Sequence, residues 1–279
     1  MGLLGGSIAS GVLRSFSGVK VVGYAHRAST RAKAVELAVA SEVVDSLEYG
    51  VCKADLIILA TPIGTFEKIF GQISNALPDG CIVTDVGSTK VLPHRWAAKK
   101  LPSRVHYIGS HPIAGSEQRG VDFARDDLCD RALCILTTTS KTNRQAAKQL
   151  ERFWSRLGCV VKFMKPAEHD RIFADVSHVP HVTAAALINA TSGKELKFAG
   201  KGFMDTSRIA SGPANIWADV LLTNIGNISK GIDKVVAELL RLKKAVNNKN
   251  RKQIEQLLKS ARNKRNKLID YKLEQKEII

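Results

Sequence analysis

The sequence predicts an α/β fold: a doubly wound, mostly parallel sheet followed by an all-α region. Three observations predict it. Short, β-branched-rich apolar runs alternate with helical patterns through the first 165 residues. The chain opens on half of a glycine fingerprint that binds dinucleotides. After Pro166 the strand signals stop and only helical periodicities continue. The first region is therefore expected to be Rossmann-like. The domains are drawn at 1–165, for dinucleotide binding, and 166–279, helical with a basic C-terminal helix.

The strand candidates are Val19–Tyr24, Asp55–Thr61, Cys81–Ser88, His106–Ser110, Leu133–Thr138 and Val160–Met164. Their near-continuous apolar character is that of strands buried on both faces. Ser7–Phe16, Thr30–Val39, Thr65–Leu77 and Asn143–Leu157 carry helical spacing between them. Beyond Pro166, His181–Ala190 is Ala-rich and helical. Apolar residues from Ile216 to Leu240 recur at three and four, giving one long amphipathic helix or two broken near Gly231. That stripe is too wide for the small helical region to bury alone, so a homodimer is expected.

Residues 2–7, Gly-Leu-Leu-Gly-Gly-Ser, match the second half of G-x-G-x-x-G. Gly2 would let backbone approach a pyrophosphate, and Gly5 would let helix and strand pack closely. Leu4, Gly5, Gly6 and Ser7 lead into a helix whose first N–H groups and dipole suit an anion. The first glycine and its strand are missing from the pattern. The expectation is that the natural chain starts about one strand's length, roughly ten residues, earlier.

At the end of the next strand candidate an acidic residue would bond the adenosine ribose. Here the chain reads Tyr24-Ala25-His26-Arg27-Ala28-Ser29-Thr30-Arg31. With His26 and Arg27 there and no acid, the expected cofactor is NAD or NADP, with NADP tolerated or preferred. Alternatively Arg27 stacks on the adenine and NAD is accepted.

Charge and composition exclude several classes. Apolar residues make up 44% and charged residues 24%, which excludes wholesale disorder. No apolar run reaches the roughly 18 residues of a membrane span, and the opening residues MGLLGGSIAS do not read as a secretory signal. Five scattered cysteines, without CxxC pairs, fit a reducing cytoplasm and argue against structural zinc. His178 and His181 lie three apart, but no further ligands at metal spacing accompany them, so no metal is expected. The net charge of +16 is concentrated after Arg241. No aromatic residues interleave the cationic stretch, so it reads as a helix with a solvated basic face rather than a nucleic-acid site.

Two loops at strand ends carry candidate chemistry: Asp85-Val-Gly-Ser88-Thr-Lys90 and Ser110-His111-Pro-Ile-Ala-Gly115-Ser116-Glu117. Both would face one crevice at the carboxyl edge of the sheet. His111 is a candidate general base, since imidazole titrates near neutrality. Ser177-His178-Val-Pro-His181 and the segment 202–210, containing Arg208, add an imidazole and a guanidinium suited to carboxylates.

GLLGGSIA, ATPIGTF, DVGSTK, SHPIAGSE, SHVPH and GFMDTSRIA occur in that order. This set resembles the prephenate/arogenate dehydrogenase family of tyrosine biosynthesis, from residue 2 to about residue 240. The resemblance implies a nicotinamide-binding domain followed by a helical domain forming an intertwined dimer. It implies oxidative decarboxylation: hydride leaves C4 of a cyclohexadienol, the 4-hydroxyl becomes a carbonyl, and loss of CO2 aromatises the ring. By the family pattern His111 takes the hydroxyl proton, and Ser88 lies near that hydroxyl and the nicotinamide. Arg208 holds a substrate carboxylate, His181 makes a further substrate contact, and Ser116 and Glu117 line or gate the pocket. Thr61 and Pro62 match a strand end beside the cofactor ribose. Met204 departs from the basic residue of some relatives. No ACT-type domain is expected after residue 240. The alternatives are arogenate as substrate or another Rossmann dehydrogenase. From a different class, the chain would be a non-catalytic cofactor- or nucleic-acid-binding protein.

Overall fold

The computed structural model describes residues 1–114 and 118–274. The chain forms two compact units, Met1–Asn224 and Ile225–Ile279. In chain order the first unit holds α1 (Leu3–Ser15), β1 (Val22–Tyr24), α2 (Ala28–Glu36), β2 (Glu42–Val44), α3 (Leu47–Val51), β3 (Leu56–Leu59), α4 (Phe66–Ile73), β4 (Ile82–Asp85) and α5 (Val91–Lys100). It continues with β5 (His106–Tyr107), β6 (Gly109–Pro112), β7 (Leu133–Thr137), α6 (Arg144–Arg156) and β8 (Val160–Met164). A helical run follows: α7 (Pro166–Phe173), a π-turn (Ala174–His178), α8 (Val179–Ala190), α9 (Gly193–Leu196), α10 (Lys201–Ser207), a 3-10 turn (Arg208–Ser211) and α11 (Ala214–Thr223).

β1 and β2 pair in parallel, as do β3, β4 and β5. β6 pairs antiparallel with β7, and β7 parallel with β8. The Ile108 N–H donates to the Val83 carbonyl at 3.0 Å, so β5 runs on into β6 beside β4. The strands thus form three sheets, β1–β2, β3–β4–β5 and β6–β7–β8, in which all pairings but β6–β7 are parallel. β4 divides the core. Ile82 packs with Ile8, Leu136, Leu150 and Trp154 on one face. Val83 packs with Phe66, Phe70, Ile73 and Ala97 on the other. Each such side chain contributes about 1.5–3 kcal/mol when fully buried. Helices on both faces of a parallel sheet are the layered arrangement that the alternating pattern predicts.

Several elements differ from expectation. The first strand candidate begins at Val22, because Val19 is 41% exposed and Gly18 has a φ of 72°. β8 is an edge strand: its Val160 and Phe163 face solvent, so it is not buried on both faces. β2, α3 and α5 were not expected; they are short or, in α5, strongly charged. His111 lies inside β6, opposite Ile135, rather than in a loop after a strand. β7 extends the ladder past Ser110 and holds His111 in register.

The long helix expected from Ile216 to Leu240 breaks at Asn224, not near Gly231. Asn224 leaves helical geometry, with φ −135° and ψ 33°. Its Nδ2 donates to the Asp170 carbonyl at 2.7 Å, a tertiary bond that fixes the break. Gly231 is buried within the following helix.

The second unit holds α12 (Ile225–Asn247) and α13 (Arg251–Glu274), which pack together. Lys249 takes a left-handed conformation between them, and the Asn250 side chain caps α13 by accepting from Gln253 N at 3.0 Å. Val236, Leu239, Leu240 and Leu258 are exposed. No described residue of α13 is buried, and its cationic residues other than Lys272 are exposed.

Gly109 shows how tightly β6 is seated. A Cβ there would lie 2.6 Å from Thr137 Oγ1 and 2.9 Å from Lys90 Cδ. Gly109→Ala should destabilise the protein by about 1–3 kcal/mol through overpacking. Urea unfolding measures this, and an unchanged midpoint would show that Lys90 and Thr137 yield freely.

Candidate active site

The parallel ladder of β3 and β4 brings Thr61-Pro62 and Ser88 to one edge of the sheet. The β5–β6 run brings His111 toward the same edge. Three side chains of the helical region then dock the Ser88 loop. The Thr89 hydroxyl donates to Thr223 Oγ1 at 2.9 Å. Lys90 N and Val91 N donate to the two Asp170 oxygens at 2.7 and 2.9 Å. The His178 ring lies against the Ser88 backbone.

Beneath the loop is a fully buried ion pair, Lys90 Nζ with Asp85 Oδ1. The other Asp85 oxygen accepts from Tyr107 OH at 2.6 Å. Burial, with Asp85 alongside, pushes the Tyr107 hydroxyl well above its usual range.

His111 is buried. Its Nδ1 is 2.8 Å from His169 Nε2, and His169 Nδ1 is 2.8 Å from Asp170 Oδ1. Phe173 flanks both rings, with centroids 4.8 Å from His111 and 4.5 Å from His169. Burial first, then His169, Lys90 and His178, hold the His111 imidazole well below its ordinary value. His169 is pushed down to about 2 by burial and then by Lys90. Burial raises Asp170, opposed by the N–H groups of Val91 and Lys90 and by the Lys90 charge.

His181, on α8, is buried and stacks flat on Trp217, with centroids 3.6 Å apart at 10°. Its Nδ1 and the Nε2 of His178 find no hydrogen-bond partner among the described residues. Arg208 is exposed on the 3-10 turn, which packs against α8; the neighbouring Ile209 backbone lies against His181. Ser88 is half-buried. Ser116 and Glu117 lie outside the described residues.

The dinucleotide candidates occupy the other part of the same unit. Gly2 caps α1 in extended geometry, without a side-chain cap, and a Cβ on it would meet open space. A Cβ on Gly5 would sit 3.2 Å from Ala60 Cβ, just past β3. At Gly6 the approach is tighter, 2.8 Å from Ala124 Cβ. Leu4 is half-buried, and the buried Ser7 hydroxyl accepts from Arg125 N at 3.0 Å. This uncapped N-terminus, open at Gly2, fits a pyrophosphate. His26 and Arg27 are exposed at the start of α2. Arg31 is committed to the Ala25 and His26 carbonyls, each at 2.9 Å. Thr61 Oγ1 bonds Thr65 Oγ1 at 2.8 Å, and Pro62 is exposed. The loop is tied to α11 where Gly64 N donates to Asp219 Oδ2 at 3.1 Å. Among the described residues no group of three or more His, Cys, Asp or Glu is arranged to hold a metal ion.

Residues 8–163 match the family model "Prephenate dehydrogenase, nucleotide-binding domain", and residues 165–260 match "Prephenate dehydrogenase, dimerization domain". The chain belongs to the prephenate dehydrogenase family. It is 32% identical to prephenate dehydrogenase of Bacillus subtilis, over 96% of this chain and 74% of that one. Its fold matches the prephenate dehydrogenase of Aquifex aeolicus in complex with hydroxyphenyl propionate and NAD+, at 33% identity and TM-score 0.88, covering 96% and 95% of the two chains. It also matches Synechocystis arogenate dehydrogenase, at 30% identity and TM-score 0.80, covering 96% and 97%.

Sequence reasoning did not single out His169, Asp170, Asn224, Trp217 or Asp219. His169 and Asp170 sit in the first turns of α7, where a Pro at the helix start was the visible signal. The π-turn between α7 and α8 adds a residue to the helical register and carries His178. Nothing in local sequence announces such an insertion, which is often found at functional sites.

The buried imidazoles make a stability prediction. His94 and His178 are held near 4, and His169 lower, chiefly by burial. The unfolded chain binds these protons near pH 6.5 and the native chain does not, so acid favours unfolding. The stability contribution is complete above about pH 6.5 and is lost as pH falls toward the native values. The Tm should therefore drop as pH is lowered from about 6.5 to 4.5, with proton uptake on unfolding in calorimetry. A flat Tm with no proton uptake would contradict it.

Proposed function

We propose that this chain is a cytoplasmic, homodimeric, nicotinamide-dependent dehydrogenase that converts prephenate to 4-hydroxyphenylpyruvate and CO2. The observation carrying the proposal is His111: a buried, uncharged imidazole at the sheet edge shared with Ser88, in a chain of this family. A base for a ring alcohol must be unprotonated at working pH, and this environment keeps it so. Residue assignments follow the family pattern. His111 takes the proton of the 4-hydroxyl as C4 is oxidised. Ser88 orients that hydroxyl. Arg208 holds a carboxylate by its planar fork, and His181, braced by Trp217, makes a second polar contact. Ser116 and Glu117 belong to the pocket in this reading. The departing CO2 leaves an aromatic ring.

A bound NAD(P)+ would supply the hydride acceptor. The first turn of α1, with Gly2, Leu4, Gly5, Gly6 and Ser7, would hold its pyrophosphate, and Thr61 and Pro62 its ribose. His26 and Arg27, exposed where an acidic residue is absent, support acceptance of a 2′-phosphate and a preference for NADP. The dimerisation reading draws on the match over 165–260 and on the exposed apolar residues of α12. The functional boundary is drawn at residue 165, where the two family matches meet. Unpaired cysteines support a reducing compartment. No described helix is long and apolar enough to cross a membrane. Arogenate is the second reading, favoured by the match to the Synechocystis enzyme.

A two-by-two assay, prephenate and arogenate against NAD and NADP, checks the substrate and cofactor together. The higher kcat/KM is expected for prephenate and for NADP, and a large preference for arogenate or for NAD would reverse that half. His111→Asn should lower kcat by about 10²–10⁴ with cofactor Kd unchanged. Arg208→Ala should chiefly raise KM. The acidic limb of kcat/KM should fall below the ordinary imidazole value of 6.5, since His111 binds a proton only in stronger acid. A near-normal kcat for His111→Asn would remove that residue from the mechanism.

A further inference from the structure

We propose that Asp170 is a positioning residue that fixes which nitrogen of His111 carries the proton, acting through His169. The argument follows hydrogen-bond polarity from one ring to the next. Asp170 receives backbone N–H bonds on both oxygens, from Lys90 and Val91. A carboxylate so placed is acceptor-only, so the 2.8 Å contact to His169 Nδ1 requires a proton on that nitrogen. Burial, with Lys90 nearby, disfavours the charged form of His169, and a neutral imidazole carries one proton. Its Nε2 is therefore a bare acceptor. The 2.8 Å contact from His169 Nε2 to His111 Nδ1 then requires the proton to sit on His111 Nδ1. His111 Nε2 is left with its lone pair exposed, which is the form a base needs.

The geometry leaves little freedom to reverse the chain. His169 is fully buried and Asp170 nearly so, which shields their bonds from bulk solvent. Phe173 stacks on His169 at 27° and tilts against His111 at 54°, which restricts rotation of both rings. Reversal would need a donor at Asp170, where two backbone N–H groups already point inward. A carboxylate two imidazoles away thus governs the chemistry of a residue it never touches. The same two N–H bonds join the helical region to the start of α5, so the Ser88 loop and the tautomer of His111 share one anchor.

The inference rests on His111 as the base, but its test is separate. Histidine in the whole, unliganded protein is labelled with 15N, and the His111 resonance is assigned by its loss in His111→Asn. At neutral pH the wild type should show a protonated, pyrrole-like Nδ1 and a bare, pyridine-like Nε2. The opposite pattern overturns the proposal, whatever the activity proves to be. Asp170→Ser should produce a mixture of tautomers at His111. His169→Gln, which leaves the carboxylate and its backbone bonds in place, should do the same. It should also lower kcat by about 10- to 100-fold, with KM nearly unchanged, less than the loss of a whole base. A single Nε2-bare species with normal kcat in His169→Gln would refute the relay even if Asp170→Ser does not fold. If His111→Asn keeps full activity while the tautomer pattern holds, the proposed role of His111 fails and the relay stands.

Discussion

The Asp170 carboxylate is the constraint on which the site depends. It sits on α7, outside the sheet, yet it caps α5 through Lys90 N and Val91 N. α5 has Lys90 at its N-cap and no side-chain cap of its own. Lysine cannot accept a hydrogen bond, so the helix start has to borrow an acceptor. The borrowed charge lies at the positive end of the helix dipole, and hydrogen bonds to charged groups are worth about 1.5–3 kcal/mol each. The loop carrying Ser88, the helix carrying His169 and the strand carrying His111 are held relative to one another by this one group.

A second buried charge sets the electrostatics. Lys90 has no exposed surface and is held by Asp85, itself bonded by Tyr107 and by the Gly87 N–H. Such a pair gains little stability over an apolar substitute, because desolvation offsets the attraction. Its consequence here is local. The ammonium lies near three imidazoles, His94, His111 and His169, and with burial it keeps each of them unprotonated. A cation under the loop thereby works with burial to disfavour protonation of the neighbouring imidazoles. Charge is separated by depth: the fixed pair below, the exposed Arg208 above α8.

Much of this was legible in the sequence, for identifiable reasons. The alternation of Leu56–Leu59, Ile82–Asp85 and Leu133–Thr137 with helical spacing reports burial on a layered sheet, and burial is a local property of each run. The glycines at 5 and 6 report close approach, and at Gly6 a Cβ would lie 2.8 Å from Ala124 Cβ. The Ser88 loop was visible because it follows a strand, whereas the His111 segment proved to be strand itself. What was missed is non-local. α5 lacks its own cap and reads as a charged loop. Asn224 breaks a continuous apolar stripe only because Asp170 offers it a carbonyl. His169 carries no periodic signal at all; its meaning is the 2.8 Å approach to His111 from 58 residues away.

The sequence by itself determined the α/β class, the family, and which loops and histidines were candidates for the site. These follow from short-range patterns: the period of hydrophobicity, the need for glycine at tight contacts, and the order of motifs. Tertiary structure decided where helices stop, which strand His111 belongs to, and the burial that lowers the proton affinity of its ring. Those depend on dielectric and on donor–acceptor polarity, both set by groups distant in the chain. A histidine's identity is written at one position, but its tautomer is written by whatever folding brings beside it.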